Sequence, residues 1–238
     1  MKRILRTVFE KKSSIKKALP ILLLILTASL ITVAAVYFKQ VPYLVFPLYI
    51  SLVVGMLQAK ASRYAHLVGS LNSVLYAATF LYLGLYASMC SALFMSFPLQ
   101  LATFIRWSKN ADGSSTRFKK LTPMQWGIMA ISFVISFIAL NMIMKALGSN
   151  YVLLDNSHAI IGFFATVLSL FAFREYSYLM LGSGTLTVWL YWEMIAQNPA
   201  QTTHLIYAIY TMICIVRQFF SVRRIYQKQQ GESVYQKS

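Results

Sequence analysis

Residues 64–107, YAHLVGSLNSVLYAATFLYLGLYASMCSALFMSFPLQLATFIRW, decide the fold. They form two long apolar runs separated by a turn at Gly84, and each run carries a few polar side chains. These polar side chains include Ser70, Asn72, Ser73 and Gln100. Hydrocarbon cannot satisfy an unpaired amide, so such side chains usually face a bundle interior or a water-filled cavity. The stretch therefore predicts two membrane-spanning helices beside a binding site.

Composition places the rest of the chain in the membrane as well. Of the 238 residues, 58% are hydrophobic and only 12% are charged, a balance that cannot cover a soluble domain with polar surface. The net charge of +16 is therefore interpreted as a bias between the two sides of a bilayer and not as a nucleic-acid site. Cys90 and Cys214 lie inside apolar runs and have neither disulfide nor metal spacing.

Hydropathy divides the chain into eight runs, each near the length that crosses hydrocarbon. The predicted spans are 19–38, 43–58, 64–83, 86–105, 124–147, 157–173, 178–196 and 204–222. The basic start resembles a signal peptide, but the first run is long and lacks a cleavage site before a polar domain, so it is predicted to be retained.

The Lys and Arg residues give the predicted orientation. If the amino terminus is cytoplasmic, all of the 22 Lys and Arg residues except Lys39 and Lys145 fall on the cytoplasmic side. This asymmetry follows the positive-inside rule, and a seven-span topology that drops an internal helix loses it. We therefore expect a multi-pass protein of the bacterial cytoplasmic membrane with both termini in the cytoplasm.

A weak internal repeat refines the fold class. Residues 69–76 align with residues 182–189, which pairs Asn72 with Thr185 and Tyr76 with Trp189. Equivalent helices lie four spans apart and share one orientation, as in parallel repeats of the SWEET type. The sequence thus predicts an all-α bundle with a parallel 3+1+3 repeat after one extra helix. Its parts are a basic amino terminus (1–18), the extra span (19–38), the first repeat (43–105), a cytoplasmic loop and linker helix (106–147), the second repeat (157–222) and a polar cytoplasmic tail (223–238).

Helical spacing selects the candidate site. Asn72 and Tyr76 share one helix face, and similar stripes of polar and aromatic residues occur on the fourth, seventh and eighth spans. Pro98 interrupts the fourth span and is expected to bend it. The nine candidate substrate-binding residues are Asn72, Tyr76, Gln100, Phe104, Trp107, Thr185, Trp189, Tyr207 and Tyr210.

Simpler interpretations stay open for several of these residues. An Asn or Gln in a span is also typical of contacts between helices, and Trp107, Trp192 and Tyr43 fit an interfacial aromatic belt. Glu193 is either a group that meets a substrate or proton, or a solvated glutamate.

Catalytic and metal chemistry are not indicated by the sequence. His66, His158 and His204 begin three different spans, so no metal site and no cofactor are predicted. The sequence contains no catalytic triad order, paired carboxylates or phosphate loop, so an enzyme is not expected.

Aromatic walls with one or two amides suit a flat heteroaromatic ligand that carries hydroxyl groups. They suit a phosphorylated ligand poorly, because no Lys, Arg or glycine-rich loop lies at mid-membrane depth.

Residues 64–107 also resemble the PnuC family of bacterial vitamin transporters. The resemblance is carried by GSLNSVLYA (69–77), GLY (84–86), FPLQ (97–100) and Trp107 with Lys109-Asn110, and more loosely by Leu154-Asp155 and Tyr207-x-x-Tyr210. It covers roughly residues 45 to 224. It implies a SWEET-like bundle that passes nicotinamide riboside by facilitated diffusion, with Asn72, Gln100 and the aromatic residue at 76 lining the central site.

The resemblance also implies functional coupling to a cytosolic kinase that traps the substrate. Thiamine, riboflavin or deoxyribonucleosides are alternatives, because the Trp and Asn or Asp that nicotinamide riboside carriers place in the seventh span fall near Tyr178, Leu181 and Thr185 here. A scaffold or sensor that holds anionic lipid with its basic ends is the alternative of another class. A homo-oligomer stays open.

Overall fold

The chain is helical almost throughout in the computed structural model, which describes residues 2–109, 111–112, 115–149 and 151–235. Within these residues the α-helices are α1 (Lys2–Tyr37), α2 (Pro42–Gln58), α3 (Tyr64–Tyr82), α4 (Tyr86–Cys90), α5 (Phe97–Lys109), α6 (Pro123–Ala146), α7 (Val152–Leu170), α8 (Tyr176–Gln197) and α9 (Thr202–Tyr235). A π-helical segment (Ser91–Ser96) joins α4 to α5, and a 3-10 turn (Pro199–Gln201) precedes α9. Strands β1 (Ala111–Asp112) and β2 (Ser115–Thr116) form a short antiparallel hairpin.

Each predicted span corresponds to a helical segment, with differences at the ends. Helix α1 begins at Lys2 instead of 19, and α9 continues through the predicted polar tail to Tyr235. Helix α7 begins five residues earlier than predicted, because Asp155 and Asn156 lie inside it and are fully buried instead of forming a loop. The predicted loop and tail residues Asn110, Gly113, Ser114, Asn150 and 236–238 lie outside the described residues, as does Met1.

Several of the helices can cross a membrane. Among the described residues, five segments are long and apolar enough by length and composition, namely Ala18–Tyr37, Tyr86–Lys109, Pro123–Ala146, Val152–Leu170 and Pro199–Gly231. Helix α2 has 17 residues. Helices α3 and α8, with 19 and 22 residues, are long enough to cross hydrocarbon but carry more polar side chains. Apart from the short hairpin, the described chain is therefore helical, with several membrane-capable helices.

Six helical segments surround the centre of the bundle. Helix α3 packs between α2 and α5, and α8 packs between α7 and α9. The ring closes where α5 meets α7 and where α9 meets α2. Helix α1 packs outside against α2 and α9, and α6 packs outside mainly against α7.

Basic residues gather at one end of this bundle, which we call the basic end. There α2, α5 and α7 finish and α3 and α8 begin, and the Ser221 hydroxyl donates to the Ala59 carbonyl at 2.9 Å. At the opposite end the Thr203 hydroxyl donates to Gln40 Oε1 at 2.9 Å. Lys39 and Lys145 lie at that opposite end. The charge asymmetry of the sequence is thus present in the fold.

Tight turns connect neighbouring helices. Helices α1, α2, α3, α6 and α7 are each followed by a residue with positive φ, and these residues are Lys39, Ala61, Gly84, Gly148 and Ala172. In each turn, the residue that follows the positive-φ residue donates its N–H to a carbonyl of the preceding helix. The Leu85 N–H, for example, donates to the Phe80 carbonyl at 2.9 Å. Only the glycine turns were recognisable from sequence, because glycine adopts this conformation without steric cost.

Candidate ligand-binding cavity

A cavity of about 260 Å³ lies inside the ring of helices. Its volume is near the lower end of the range of about 300 to 1,000 Å³ that small-molecule sites occupy. Helices α2, α3, α5, α7, α8 and α9 and the π-helical segment all contribute to its lining. None of the described residues that line it is Lys, Arg, Asp or Glu. The interior is therefore polar and aromatic but carries no formal charge apart from any on histidine.

Asn72 is the best-defined polar group of this cavity. Its amide nitrogen donates to the Pro47 carbonyl at 3.2 Å and to the Ser51 hydroxyl at 2.6 Å. Because a carbonyl only accepts, the bond to Pro47 fixes which end of the amide is nitrogen. The other end, Oδ1, is buried and has no hydrogen-bond partner among the described residues. Asn72 can therefore accept a hydrogen bond from a ligand.

Gln100 faces the same space from α5. Its amide nitrogen donates to the Ser73 hydroxyl at 3.3 Å, and that hydroxyl donates to the Gly69 carbonyl at 2.9 Å. A Cβ at position 69 would lie 2.2 Å from Gln100 Oε1. The glycine thus allows the Gln100 amide to lie directly against α3.

Aromatic rings form a wall beside these amides. The Tyr76 ring lies 5.3 Å from the Phe80 ring and 6.2 Å from the Tyr207 ring, and all three residues line the cavity. Tyr191 of α8 lines it as well. Rings at these separations form a surface on which a planar ligand can stack.

The π-helical segment brings further hydroxyl groups into the lining. Ser91 and Ser96 both line the cavity although they are five residues apart. In a regular α-helix such residues face different directions, whereas the i→i+5 bonding of a π-helix lets them share a face. Pro98, the second residue of α5, lacks the N–H that would continue regular bonding.

Four of the nine predicted site residues line the cavity: Asn72, Tyr76, Gln100 and Tyr207. The other five lie outside its lining. Phe104 is partly buried with its ring 6.0 Å from that of Tyr64. Trp107 lies one layer nearer the basic end. Tyr210 is buried between α9 and α2, where its hydroxyl donates to the Leu52 carbonyl at 2.9 Å.

Thr185 and Trp189 lie on the outer surface of α8. The Thr185 hydroxyl bonds within its own helix, and the Trp189 indole donates to Glu193 at 3.0 Å with both side chains exposed. The cavity face of α8 instead carries Gly184, Thr187 and Tyr191. These residues pair with Gly69, Asn72 and Tyr76 if the sequence alignment of 69–76 with 182–189 is shifted by two residues, to 184–191. Two residues turn a helix by about 200°, which exchanges its inner and outer faces.

Sequence reasoning did not place several polar residues at the cavity. His66 and His158 line it near opposite ends, and Gln58, Thr211 and Gln218 line it too. All of them except Thr211 lie toward the ends of their predicted spans, where polar side chains are usually solvated. The position of Gln218 seven residues after Thr211, on one helix face, was the available signal. Within the described residues no three His, Cys, Asp or Glu side chains cluster as a metal site would require.

An aromatic layer closes the cavity at the basic end. The Trp107 ring lies 4.6 Å from the His66 ring and 5.7 Å from the Phe118 ring, and Phe118 stacks on Tyr176 at 6.1 Å. The Trp107 indole donates to the Ser169 carbonyl at 2.9 Å. We call Trp107, Phe118 and Tyr176 the floor of the cavity.

Residues 117–122, which we call the strap, hold Phe118 in this floor. The Lys119 N–H donates to the Ala172 carbonyl at 2.8 Å, and the Arg174 N–H donates back to the Lys119 carbonyl at 2.9 Å. The buried Glu175 carboxylate accepts from the Leu121 N–H at 3.2 Å. The strap is thereby joined to the connection between α7 and α8.

At the opposite end, Asp155 of α7 holds the start of α4. Its carboxylate accepts from the Ala87 N–H at 3.1 Å, the Ser88 N–H at 3.2 Å and the Ser149 hydroxyl at 3.2 Å, and also from the Ser88 hydroxyl. Asp155 is fully buried. A carboxylate at a helix amino terminus satisfies N–H groups that have no partner in the helix, so Asp155 fixes the contact between the two halves.

Comparisons with known proteins agree with this architecture. A family profile described as nicotinamide mononucleotide transporter matches residues 44–220. A crystal structure of the vitamin B3 transporter PnuC superposes with a TM-score of 0.75 at 20% sequence identity, covering 88% of this chain and 92% of that one. At this identity the likeness concerns the fold. No curated protein sequence matches the chain at a significant level.

Proposed function

The chain belongs to the nicotinamide mononucleotide transporter family, and from this premise we propose that it imports nicotinamide riboside or a closely similar nucleoside-like vitamin by facilitated diffusion. Membership confirms the resemblance to PnuC seen in the sequence. It also confirms that the chain is a multi-pass membrane transporter and not an enzyme. The substrate, the route and the site residues are the proposal.

The observation that carries the choice of substrate is the free acceptor of Asn72. Its Oδ1 is buried without a partner among the described residues, in a lining that contains no Lys or Arg. A buried acceptor of this kind favours a ligand that donates hydrogen bonds, such as a hydroxyl or an amide. A phosphate at neutral pH mainly accepts and needs cationic partners. The cavity therefore favours a nucleoside over the mononucleotide that names the family.

The packing of the helices supports the proposed parallel 3+1+3 arrangement. In each half the middle helix packs against both of its neighbours, and the third helix of one half meets the first helix of the other at both seams. This is the pattern expected when two copies are related by rotation about an axis along the membrane normal. Helix α6 would be the linker and α1 the extra helix.

The concentration of Lys and Arg at the basic end supports a cytoplasmic position for that end and for both termini. Reporter fusions test this orientation. A reporter at either terminus should give a cytosolic signal, and a reporter inserted near Gly148 should not.

A passive carrier only equalises the substrate concentrations on the two sides of the membrane, so net import requires removal of the imported substrate. We infer that a cytosolic kinase traps the substrate by phosphorylation.

Purified protein in liposomes provides the test of substrate. We expect uptake of labelled nicotinamide riboside down its gradient, insensitive to a protonophore, and at least tenfold slower uptake of nicotinamide mononucleotide. Asn72→Ala and Gln100→Ala should each reduce riboside uptake about fivefold, the factor for one lost hydrogen bond to a neutral partner.

Asn141→Ala is the matched control, since the Asn141 amide bonds to the Phe137 carbonyl of α6, away from the cavity. Faster uptake of the mononucleotide than of the riboside would refute the proposed substrate. A thermal-shift screen with thiamine, riboflavin and deoxyribonucleosides would then identify the ligand, because binding to the folded state raises apparent stability.

A further inference from the structure

The basic end of the cavity holds a second polar cluster, separate from Asn72 and Gln100. Gln218 of α9, Tyr176 of α8, His66 of α3 and Ser169 of α7 all line the cavity there. His66 precedes Asn72 by six residues on α3, about 9 Å along the helix axis. A ligand held at Asn72 must therefore move toward the basic end to reach this cluster.

Gln218 has the free hydrogen-bonding capacity of this cluster. It is 3% exposed, and its amide nitrogen donates to the Tyr176 hydroxyl at 3.1 Å. Its Oε1 is buried and has no hydrogen-bond partner among the described residues. Leaving such an acceptor without a partner is unfavourable in an apolar surrounding. A group that donates a hydrogen bond would satisfy it.

The His66 and Ser169 side chains, on the other side of the cluster, can also form hydrogen bonds to a ligand. His66 Nε2 and the Ser169 hydroxyl lie 3.4 Å apart, which is long for a hydrogen bond. His66 rests on the Trp107 ring of the floor and Tyr176 belongs to the floor itself, so the cluster borders the layer that separates the cavity from the basic end. A ligand leaving toward that end meets this cluster last.

We propose that Gln218, Tyr176, His66 and Ser169 form a second binding subsite, which holds the hydroxyl-bearing part of the substrate before release at the basic end. The inference rests on the proposed function, in that the substrate is a neutral nucleoside. Gln218 accepts a hydrogen bond from a ribose hydroxyl, and the Ser169 hydroxyl and His66 bind a neighbouring one. The subsite lowers the barrier to release and leaves affinity at the central site unchanged.

The test compares transport rate with equilibrium binding. Gln218→Leu should lower the maximal rate of nicotinamide riboside uptake into liposomes about fivefold, as for one lost hydrogen bond, and should leave the Kd from calorimetry within twofold. For a 2′,3′-dideoxy analogue the variant should transport at the wild-type rate. Gln218→Met keeps the side-chain length and should behave in the same way.

Gln227→Leu is the control, because Gln227 lies on the same helix but is exposed. Equal maximal rates for Gln218→Leu and Gln227→Leu would overturn the subsite, as would an equal loss of rate for the dideoxy analogue. A fivefold weaker Kd would assign Gln218 to the central site instead. Failure of the wild-type protein to carry the riboside is a separate result, which rejects the proposed function before any variant is compared.

Discussion

At the scale of single residues, two cavity-lining glycines on α3 and α8 allow neighbouring side chains to pack closely against these helices. A Cβ at position 69 would meet the Gln100 amide at 2.2 Å, and one at position 184 would meet Ile215 at 2.9 Å and Met212 at 3.0 Å. A Cβ at Gly182 would meet no atom within 4 Å. Both tight glycines line the cavity, whereas Gly182 does not.

We predict that Gly69→Ala displaces the Gln100 amide from Ser73 and reduces riboside uptake several-fold, with a normal yield of folded protein. The Gln100 side chain is flexible, so the helices need not separate. Gly182→Ala is the matched control and should transport like the wild type. Unchanged uptake by Gly69→Ala would show that the position of the Gln100 amide does not matter for transport.

Asp155 gives a prediction about stability. Asp155→Ala leaves the Ala87 and Ser88 N–H groups buried without their acceptor, and each such donor costs about 1 to 3 kcal/mol. We expect an apparent melting temperature in detergent that is lower by several degrees. Glu193→Ala removes an exposed carboxylate and should change it little; similar shifts for the two variants would contradict the anchoring role of Asp155.

The site could be predicted from sequence only where helix faces are unambiguous. On α3, Asn72 and Tyr76 are one turn apart in an otherwise apolar run, so periodicity identified the inner face. On α8, small and aromatic residues occur on both faces, and the alignment of residues 69–76 with 182–189 selected Thr185 and Trp189, which are exposed and do not line the cavity. Gln218 was missed because a polar residue near a basic helix end is usually solvated, and only packing shows it to be buried.

At the scale of elements, the strap closes the basic end through backbone contacts that no periodicity signals. The sequence between 106 and 123 is polar and basic, which predicts a loop. In the structure Phe118 turns inward and lies between Trp107 and Tyr176. A ligand released at the basic end, as proposed, can pass only if this layer moves. The strap that holds Phe118 in the layer is part of the predicted cytoplasmic loop.

We predict that Phe118→Ala opens the floor. A cysteine introduced as Ser169→Cys, with Cys90 and Cys214 replaced by Ala, should react faster with a membrane-impermeant thiol reagent applied at the basic end. Stability should fall by about 3 kcal/mol, as for loss of a buried ring. Phe133→Ala, which removes a ring stacked on Phe137 in α6, should leave the labelling rate unchanged; equal rates in both variants would argue against the floor as a barrier.

At the scale of the whole molecule, helix α1 packs outside the ring of six helical segments. Helix α1 contacts α2 and α9 from outside, and none of its described residues lines the cavity. We predict that removal of residues 1–38 lowers thermal stability but leaves the KM for uptake within about twofold, because the binding groups are untouched. A large change in KM in liposomes would show that α1 shapes the site.

The fold as a whole could be predicted further than the site. Eight apolar runs and a strong charge asymmetry define a bundle without knowledge of any contact, because hydrocarbon requires continuous helices. The ends of α1, α7 and α9 could not be predicted in the same way. Their limits depend on local contacts, such as the buried carboxylate of Asp155, that hydropathy does not record.

The π-helical segment between α4 and α5 makes the length of that transmembrane segment as important as its composition. A π-helical turn is equivalent to one inserted residue in an α-helix. This segment therefore contains one residue more than a regular α-helix that presents the same faces. Deleting a single residue, such as Phe94 on the exposed surface, would convert the turn to α-helix and keep Gln100 on its present face, whereas one residue inserted after Pro98 would rotate Gln100 relative to α4 by about 100°. We expect the insertion to abolish riboside uptake and the deletion to preserve it. The π-helical segment is therefore expected to tolerate the loss of one residue better than α5 tolerates the gain of one.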